Sequence, residues 1–212
     1  MPSESTYSKY IWDYFMAAIG NEYGVAGLMG NLYAESALNP KNLQQTYENS
    51  LGFTDDSYTA AVDSGTYSEY QFVHDSAGYG LAQWTYYSRK QNMYNKYKSG
   101  GYSSIGSIEL ACDFLWQELS GTYKGVLSVL KSASSIREAS DKVLHDFESP
   151  KDQSTAVEEK RAGYGQDYYD LYSGSEPDPD TPEPDIPEPE PDTPATVGHK
   201  MSLLLMILAT RR

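Results

Sequence analysis

At 212 residues, with 16 basic against 30 acidic side chains and a net charge of −14, the chain has room for one ordinary domain and a tail. It has no electrostatic pull toward nucleic acid or an anionic membrane surface. A lone cysteine, Cys112, excludes an intrachain disulfide framework, and a domain of this size needs none.

The chain begins Met1-Pro2-Ser3-Glu4-Ser5, without a basic n-region or an apolar run, so no signal peptide is expected. A first helix is predicted over Tyr7 to Ile19, with Ile11, Trp12, Phe15, Met16 and Ile19 on one face and Gly20-Asn21 as its stop. In the second, Val25, Leu28, Met29 and Leu32 recur at i, i+3, i+4 and i+7, while Gly24, Gly27 and Gly30 give up helix propensity and permit close packing. From Asn39 to Tyr79 the pattern turns to Asn, Gln, Thr, Ser, Gly and tyrosines with no sustained period. That stretch predicts long loops with a small β-sheet, using 71–74 and 81–84. Helical signals resume near Tyr86 to Lys98, Ser107 to Leu119 and Tyr123 to Lys131. Ser135-Ile136-Arg137-Glu138 then forms a capping box for a helix running to about Phe147, and a last helix spans about Thr155 to Tyr172.

Beyond it, residues 176–194 carry eight prolines alternating with eight acids, the composition of an extended, disordered spacer that buries nothing. The expected organisation is a folded domain over 1–172, a linker over 173–196 and an apolar stub over 197–212. The stub's Met201 to Ala209 run is well under the roughly 20 residues that span a bilayer as a helix, so no membrane span is expected. A spacer that leads to so short a segment is what a truncation or a frameshift would produce.

Several chemistries find little support. His74, His145 and His199 lack the spacing and the companion cysteines of a zinc site, so no metal or other cofactor is expected. Cys112 lies on an apolar helical stripe, where a free cysteine behaves as a small hydrophobe. No nucleophile elbow and no phosphate-cradling glycine loop appears. Carboxylate chemistry remains. Glu35 follows Leu32 by three residues, beside the apolar stripe and in the last turn before Asn39-Pro40. Burial and the negative end of the helix dipole both disfavour a charge there, as general-acid chemistry on a glycosidic oxygen requires. A second unusual segment, Gly78-Tyr79-Gly80-Leu81-Ala82-Gln83-Trp84, offers close backbone approach, an amide, and aromatic faces at Tyr79 and Trp84 on which a sugar ring can stack. The 20 tyrosines, with the pairs Tyr86-Tyr87 and Tyr168-Tyr169, suit a carbohydrate groove.

Asn31-Leu32-Tyr33-Ala34-Glu35-Ser36-Ala37-Leu38-Asn39-Pro40, followed by that Gly-rich segment, resembles the phage tail lysozyme family of the lysozyme and lytic transglycosylase superfamily, over most of residues 8–172. The resemblance implies an α+β, mostly α, two-lobed lysozyme-like domain with a small sheet. It implies cleavage of the β-1,4 bond between N-acetylmuramic acid and N-acetylglucosamine in peptidoglycan, with Glu35 as the acid and Gly80, Leu81 and Gln83 lining the glycan groove. Without a signal peptide, the wall would be reached on a phage tail, through a lysis system or by a dedicated secretion route. A hydrolase needs a second carboxylate, and Asp55, Asp56, Asp63 and Asp75 are the candidates. A lytic transglycosylase, in which the substrate's own hydroxyl attacks, needs none. A non-catalytic glycan-binding module would use the aromatic groove and leave Glu35 unexplained.

Overall fold

Helix α1 (Thr6–Ile19) opens on a capping box between Ser5 and Ser8 and ends at Gly20, whose φ of 71° is the left-handed conformation that glycine adopts freely. Asn21 then caps helix α2 (Glu22–Ser36), its side chain accepting from the backbone N–H groups of Tyr23 and Gly24. These elements belong to a computed structural model that describes residues 2–177 together with 179, 181, 182 and 184. Most of the expected Pro-rich spacer and the whole apolar stub therefore lie outside the described residues.

Helix α2 is the centre of the packing. Gly24, Gly27 and Gly30 form a stripe on which three later helices close: α8 (Lys124–Ser132), α9 (Ile136–Val143) and α10 (Thr155–Tyr172). A Cβ on Gly24 would lie 2.0 Å from the Leu130 carbonyl oxygen, one on Gly27 2.6 Å from the Ala139 Cβ, and one on Gly30 2.3 Å from the Arg161 carbonyl oxygen. The propensity that these glycines give up is thus exchanged for backbone-to-backbone approach. Helix α1 covers the remaining side of α2, and α7 (Ile108–Ser120) contributes the stripe Leu110, Ala111, Cys112, Phe114, Leu115 and Leu119 to the same core.

The middle of the chain departs from expectation. Among the described residues there is no β-strand and no sheet, only two isolated bridges, Leu43 to Tyr79 and Tyr79 to Trp84. The segment expected to be loops and a small sheet instead holds three short helices, α3 (Gln45–Leu51), α4 (Asp55–Asp63) and α5 (Glu69–His74). Residues 71–74 are the end of α5, which opens on a capping box between Ser68 and Gln71 and buries Phe72 and Val73. Residues 81–84 form a turn pinned by the Gly80 and Trp84 backbones. The lysozyme-like helical domain stands, without its sheet. Helix α5 packs on α6 (Tyr87–Ser99), which in turn meets α7.

The glycine stripe gives a direct test by thermal or denaturant unfolding. Gly27→Ala is expected to destabilise the domain by about 1–3 kcal/mol, the usual cost of overpacking. Gly163→Ala, on an exposed position of α10 with nothing within 4 Å of the added methyl, is expected to stabilise it by about 0.5–1 kcal/mol.

Candidate active site

Helix α2 ends one residue after Glu35, through left-handed Ala37 and Leu38 (φ 52° and 62°), and the reversal leaves the carboxylate at the mouth of a pocket. Ser36 does the joining. Its hydroxyl donates to the Leu81 carbonyl at 2.8 Å and reaches the Leu32 carbonyl at 3.1 Å, which fastens the Gly80–Trp84 turn to the end of the helix. The sequence neighbours Glu35 and Ser36 thus divide the work, one facing the pocket and one clamping its wall.

The pocket has a volume of about 360 Å³ and is lined by Glu35, Gln44, Ala82, Gln83, Thr85, Tyr86, Arg89, Glu148 and Pro150. Of the residues expected to line a glycan groove, Glu35 and Gln83 are on it. Gln83 sits in a left-handed conformation (φ 46°), its amide nitrogen donating to the backbone and side-chain oxygens of Asn42 and to the Gly80 carbonyl. Gly80, Leu81, Tyr79 and Trp84 shape the turn from behind. Gly80 takes φ 75° against the Trp84 ring, and Leu81, Tyr79 and Trp84 are fully buried. The Tyr79 hydroxyl bonds Thr59 at 2.7 Å, and the Trp84 indole N–H donates to Glu118 at 2.8 Å. The aromatic ring that does face the pocket is Tyr86, three-quarters exposed.

None of the four candidate aspartates is among the residues lining this pocket. Asp75 is buried in a bonded cluster: Lys90 donates to it at 2.6 Å, the Tyr58 hydroxyl at 2.5 Å and the Ala77 N–H at 2.9 Å. Burial pushes the Lys90 ammonium down from its usual range, while Asp75 opposes that shift. Asp55 accepts from the Leu43 N–H and the Asn39 amide, Asp63 from Ser104 and the Ile105 N–H, and Asp56 pairs with Lys41 at the surface. Each has a structural occupation.

Three residues that the sequence did not single out complete the electrostatics. Arg161 reaches from α10 to Glu35 at 2.5 Å, and its other terminal nitrogen donates to Asn31 at 3.2 Å. Buried Asn31 is itself held by the Gly27 carbonyl and by Ser140. Glu35 therefore faces a guanidinium where the sequence had suggested only apolar surface. Arg89, from α6, forms a two-pronged pair with Glu118 of α7, both contacts at 2.7 Å, and its guanidinium lies 4.9 Å above the Phe147 ring. Glu148 is the third. It closes a π-helical turn, Leu144–Glu148, which ends at left-handed Ser149 (φ 45°) with the Ser149 N–H donating to the Leu144 carbonyl. Its Oε1 is buried without a hydrogen-bond partner. Burial and then the nearby Glu35 charge push the Glu148 carboxyl well above the usual carboxylate range, with Arg89 and Arg161 pulling the other way.

A family model of phage tail lysozyme matches residues 6–172. The chain belongs to that family. No curated protein and no solved structure matches it. Membership in the phage tail lysozyme family points to a phage-related, peptidoglycan-lytic protein, and the match ends where α10 ends. Among the described residues no helix is long and apolar enough to cross a membrane, and no group of acidic, histidine and cysteine side chains is disposed to hold a metal ion.

The raised Glu148 carboxyl makes a stability prediction. The folded state holds this proton more tightly than the unfolded chain, so the stability that Glu148 contributes is complete below the unfolded value of about 4.5 and is lost as pH rises through the higher folded value. Glu148→Gln removes the dependence while keeping the shape. In thermal melts the variant is expected to exceed the wild type at about pH 8, with the gap closing toward about pH 4.

Proposed function

We propose that this protein is a peptidoglycan muramidase that cleaves the β-1,4 bond between N-acetylmuramic acid and N-acetylglucosamine, with Glu35 protonating the leaving glycosidic oxygen. The reading is supported by family membership and above all by one observation. The Glu35 carboxyl, about one-fifth exposed, opens onto a pocket that it shares with the amides of Gln44 and Gln83 and the ring of Tyr86. A glycan strand is rich in acetamido and hydroxyl groups flanking apolar ring faces, and that lining has a partner for each. The amides meet the acetamido and hydroxyl groups, and Tyr86 offers a face for a pyranose ring. Breaking the glycosidic bond leaves the electron pair on the departing oxygen, which must be protonated as the bond lengthens. Glu35 is positioned for that transfer by the end of α2, by Ser36 on one side and by Arg161 on the other.

Arg161 gives the positioning a second consequence. The Arg161–Asn31–Ser140 chain fixes where the Glu35 oxygen can sit, so the acid does not have to be found by the substrate among several rotamers. A wall substrate would be reached from a phage particle or after release by lysis.

The test is dye release from purified peptidoglycan by the full-length chain. Glu35→Gln keeps an oxygen to accept from Arg161 and removes the transferable proton. It is expected to lower turnover by roughly 10² to 10⁴ with little change in melting temperature. Retention of more than about a tenth of wild-type turnover would overturn the assignment of Glu35. Binding to the wall without lysis by the wild type would leave a glycan-binding module instead.

A further inference from the structure

Four charged side chains from four helices act on Glu148 of the π-helical turn: Glu35 from α2, Arg89 from α6, Glu118 from α7 and Arg161 from α10, with Glu35, Arg89 and Glu148 lining the pocket. Counting Glu148, three are carboxylates and two are guanidiniums. The guanidiniums are already committed, Arg161 to Glu35 and Arg89 to Glu118, in short contacts between side chains no more than 20 % exposed. Glu148 is left over, with Oε1 out of contact with solvent and bonded to nothing. An ionised carboxylate in that position would cost several kcal/mol in lost hydration, and structures rarely keep such a group without a use. A proton on Glu148 removes the cost.

Local geometry supports a use. A regular helix would carry α9 onward, yet the chain widens into a π-helical turn over its last five residues and then reverses through a left-handed serine. Both features cost energy, and together they set the Glu148 carboxyl in the lining of the pocket that holds Glu35. Phe147, on which Arg89 rests, precedes it in the chain, and Pro150, two residues on, also lines the pocket.

We propose that Glu148 is the second catalytic carboxylate of the cleavage and shares one transferable proton with Glu35. The inference rests on the muramidase reading and adds to it the group that the four aspartates do not supply. In the resting pocket the two carboxyl groups hold one proton between them. That proton passes through Glu35 to the glycosidic oxygen as the bond from the anomeric carbon to that oxygen breaks, the electron pair staying on the oxygen. A water molecule then bonds the anomeric carbon and gives up a proton to the carboxylate on Glu148. The pair is restored, and the net change is one water added across the bond. Burial and the Glu35 charge favour the protonated state of Glu148, while Arg89 and Arg161 limit that preference so that the proton can leave.

The experiment compares pH–rate profiles of wild type, Glu148→Gln and Glu148→Asp on purified peptidoglycan, with melting curves of each and mass spectrometry of the wild-type products. A pair that works singly protonated is expected to give a two-limbed profile, because activity fails both when the pair holds two protons and when it holds none. Glu148→Gln, still folded by its melting curve, is expected to lose at least about a hundredfold in turnover and to keep a single limb that falls as pH rises. Glu148→Asp is expected to retain both limbs at a reduced rate, and it carries the test should Glu148→Gln fail to fold. Wild-type products are expected to end in reducing sugars. A wild type that lyses with Glu148→Gln showing the same two limbs at nearly the same rate overturns the role of Glu148 alone. So do 1,6-anhydro ends, since an internal attack needs no protein base. A wild type that releases no glycan fragments overturns the muramidase reading, and this inference with it.

Discussion

The close approach of α2 to the three helices that follow the middle of the chain is the constraint on which the pocket depends. Gly30 lets the backbone of α10 pass where a methyl group would collide with the Arg161 carbonyl. That clearance places the Arg161 side chain within reach of both Asn31 and Glu35, one turn apart on the same face of α2. Gly27 does the equivalent for α9, whose Ser140 holds Asn31 from the other side. The helix is poor by propensity and gains its stability from tertiary packing, as a buried central helix must. The same residues that make it pack also decide which charges its last turn meets.

The other wall of the pocket hangs from a separate set of bonds. Ser36 holds Leu81, and Asn42 accepts from both Gly80 and Gln83. Lys90, buried against Asp75, reaches the Ala77 carbonyl at 3.0 Å, just before the turn begins. A buried ion pair is a weak source of net stability but an exacting one, since removal of either partner strands the other charge at about 3–5 kcal/mol. Four groups meet Asp75 (Lys90, Tyr58, Tyr67 and the Ala77 N–H), so this pair is well satisfied and acts as a fixed post for the turn. The contrast with Glu148 is informative. Asp75 is saturated with donors, whereas Glu148 has a buried oxygen with none. Only the second lines the pocket.

Much of this was legible in the sequence, and unevenly so. Seven helices were readable from apolar period and caps because each presents a stripe to one core, and the ends of α10 fall at Thr155 and Tyr172 as expected. The short helices α3, α4 and α5 lie in a stretch without a sustained apolar period, although Thr54 with Ser57 and Ser68 with Gln71 form two capping boxes where α4 and α5 begin. With nine and six residues they are too short to establish a period, and their caps were the better signal. The turn at residues 78–84 stands out in the sequence as unusual, but which of its side chains face inward is not visible there. Tyr79 and Trp84 are core residues with satisfied polar tips, while the exposed pair that begins at Tyr86 supplies the ring at the pocket. Glu35 stood out because one helix carries both its apolar stripe and its stop. Glu148 had no such signal, since its position follows from a π-helical turn and from where α6, α7 and α10 bring their charges.

That difference reflects how the site is assembled. An acid on a single amphipathic helix can be seen in one window of sequence, whereas a partner defined by charge parity among five elements cannot. The aspartates of the loop-like middle segment were plausible because they are close in sequence to the turn, yet each is bound in the scaffold that supports it. Scaffold acids gather donors, since an unpaired charge there would only destabilise the fold. An acid that must exchange a proton has to be left short of donors, and the fold must then bear a buried group whose preferred state changes with pH. Glu148 has that character and the aspartates do not. The cluster of two arginines and three glutamates holds one more acid than base, and the single shared proton we propose would make up the difference.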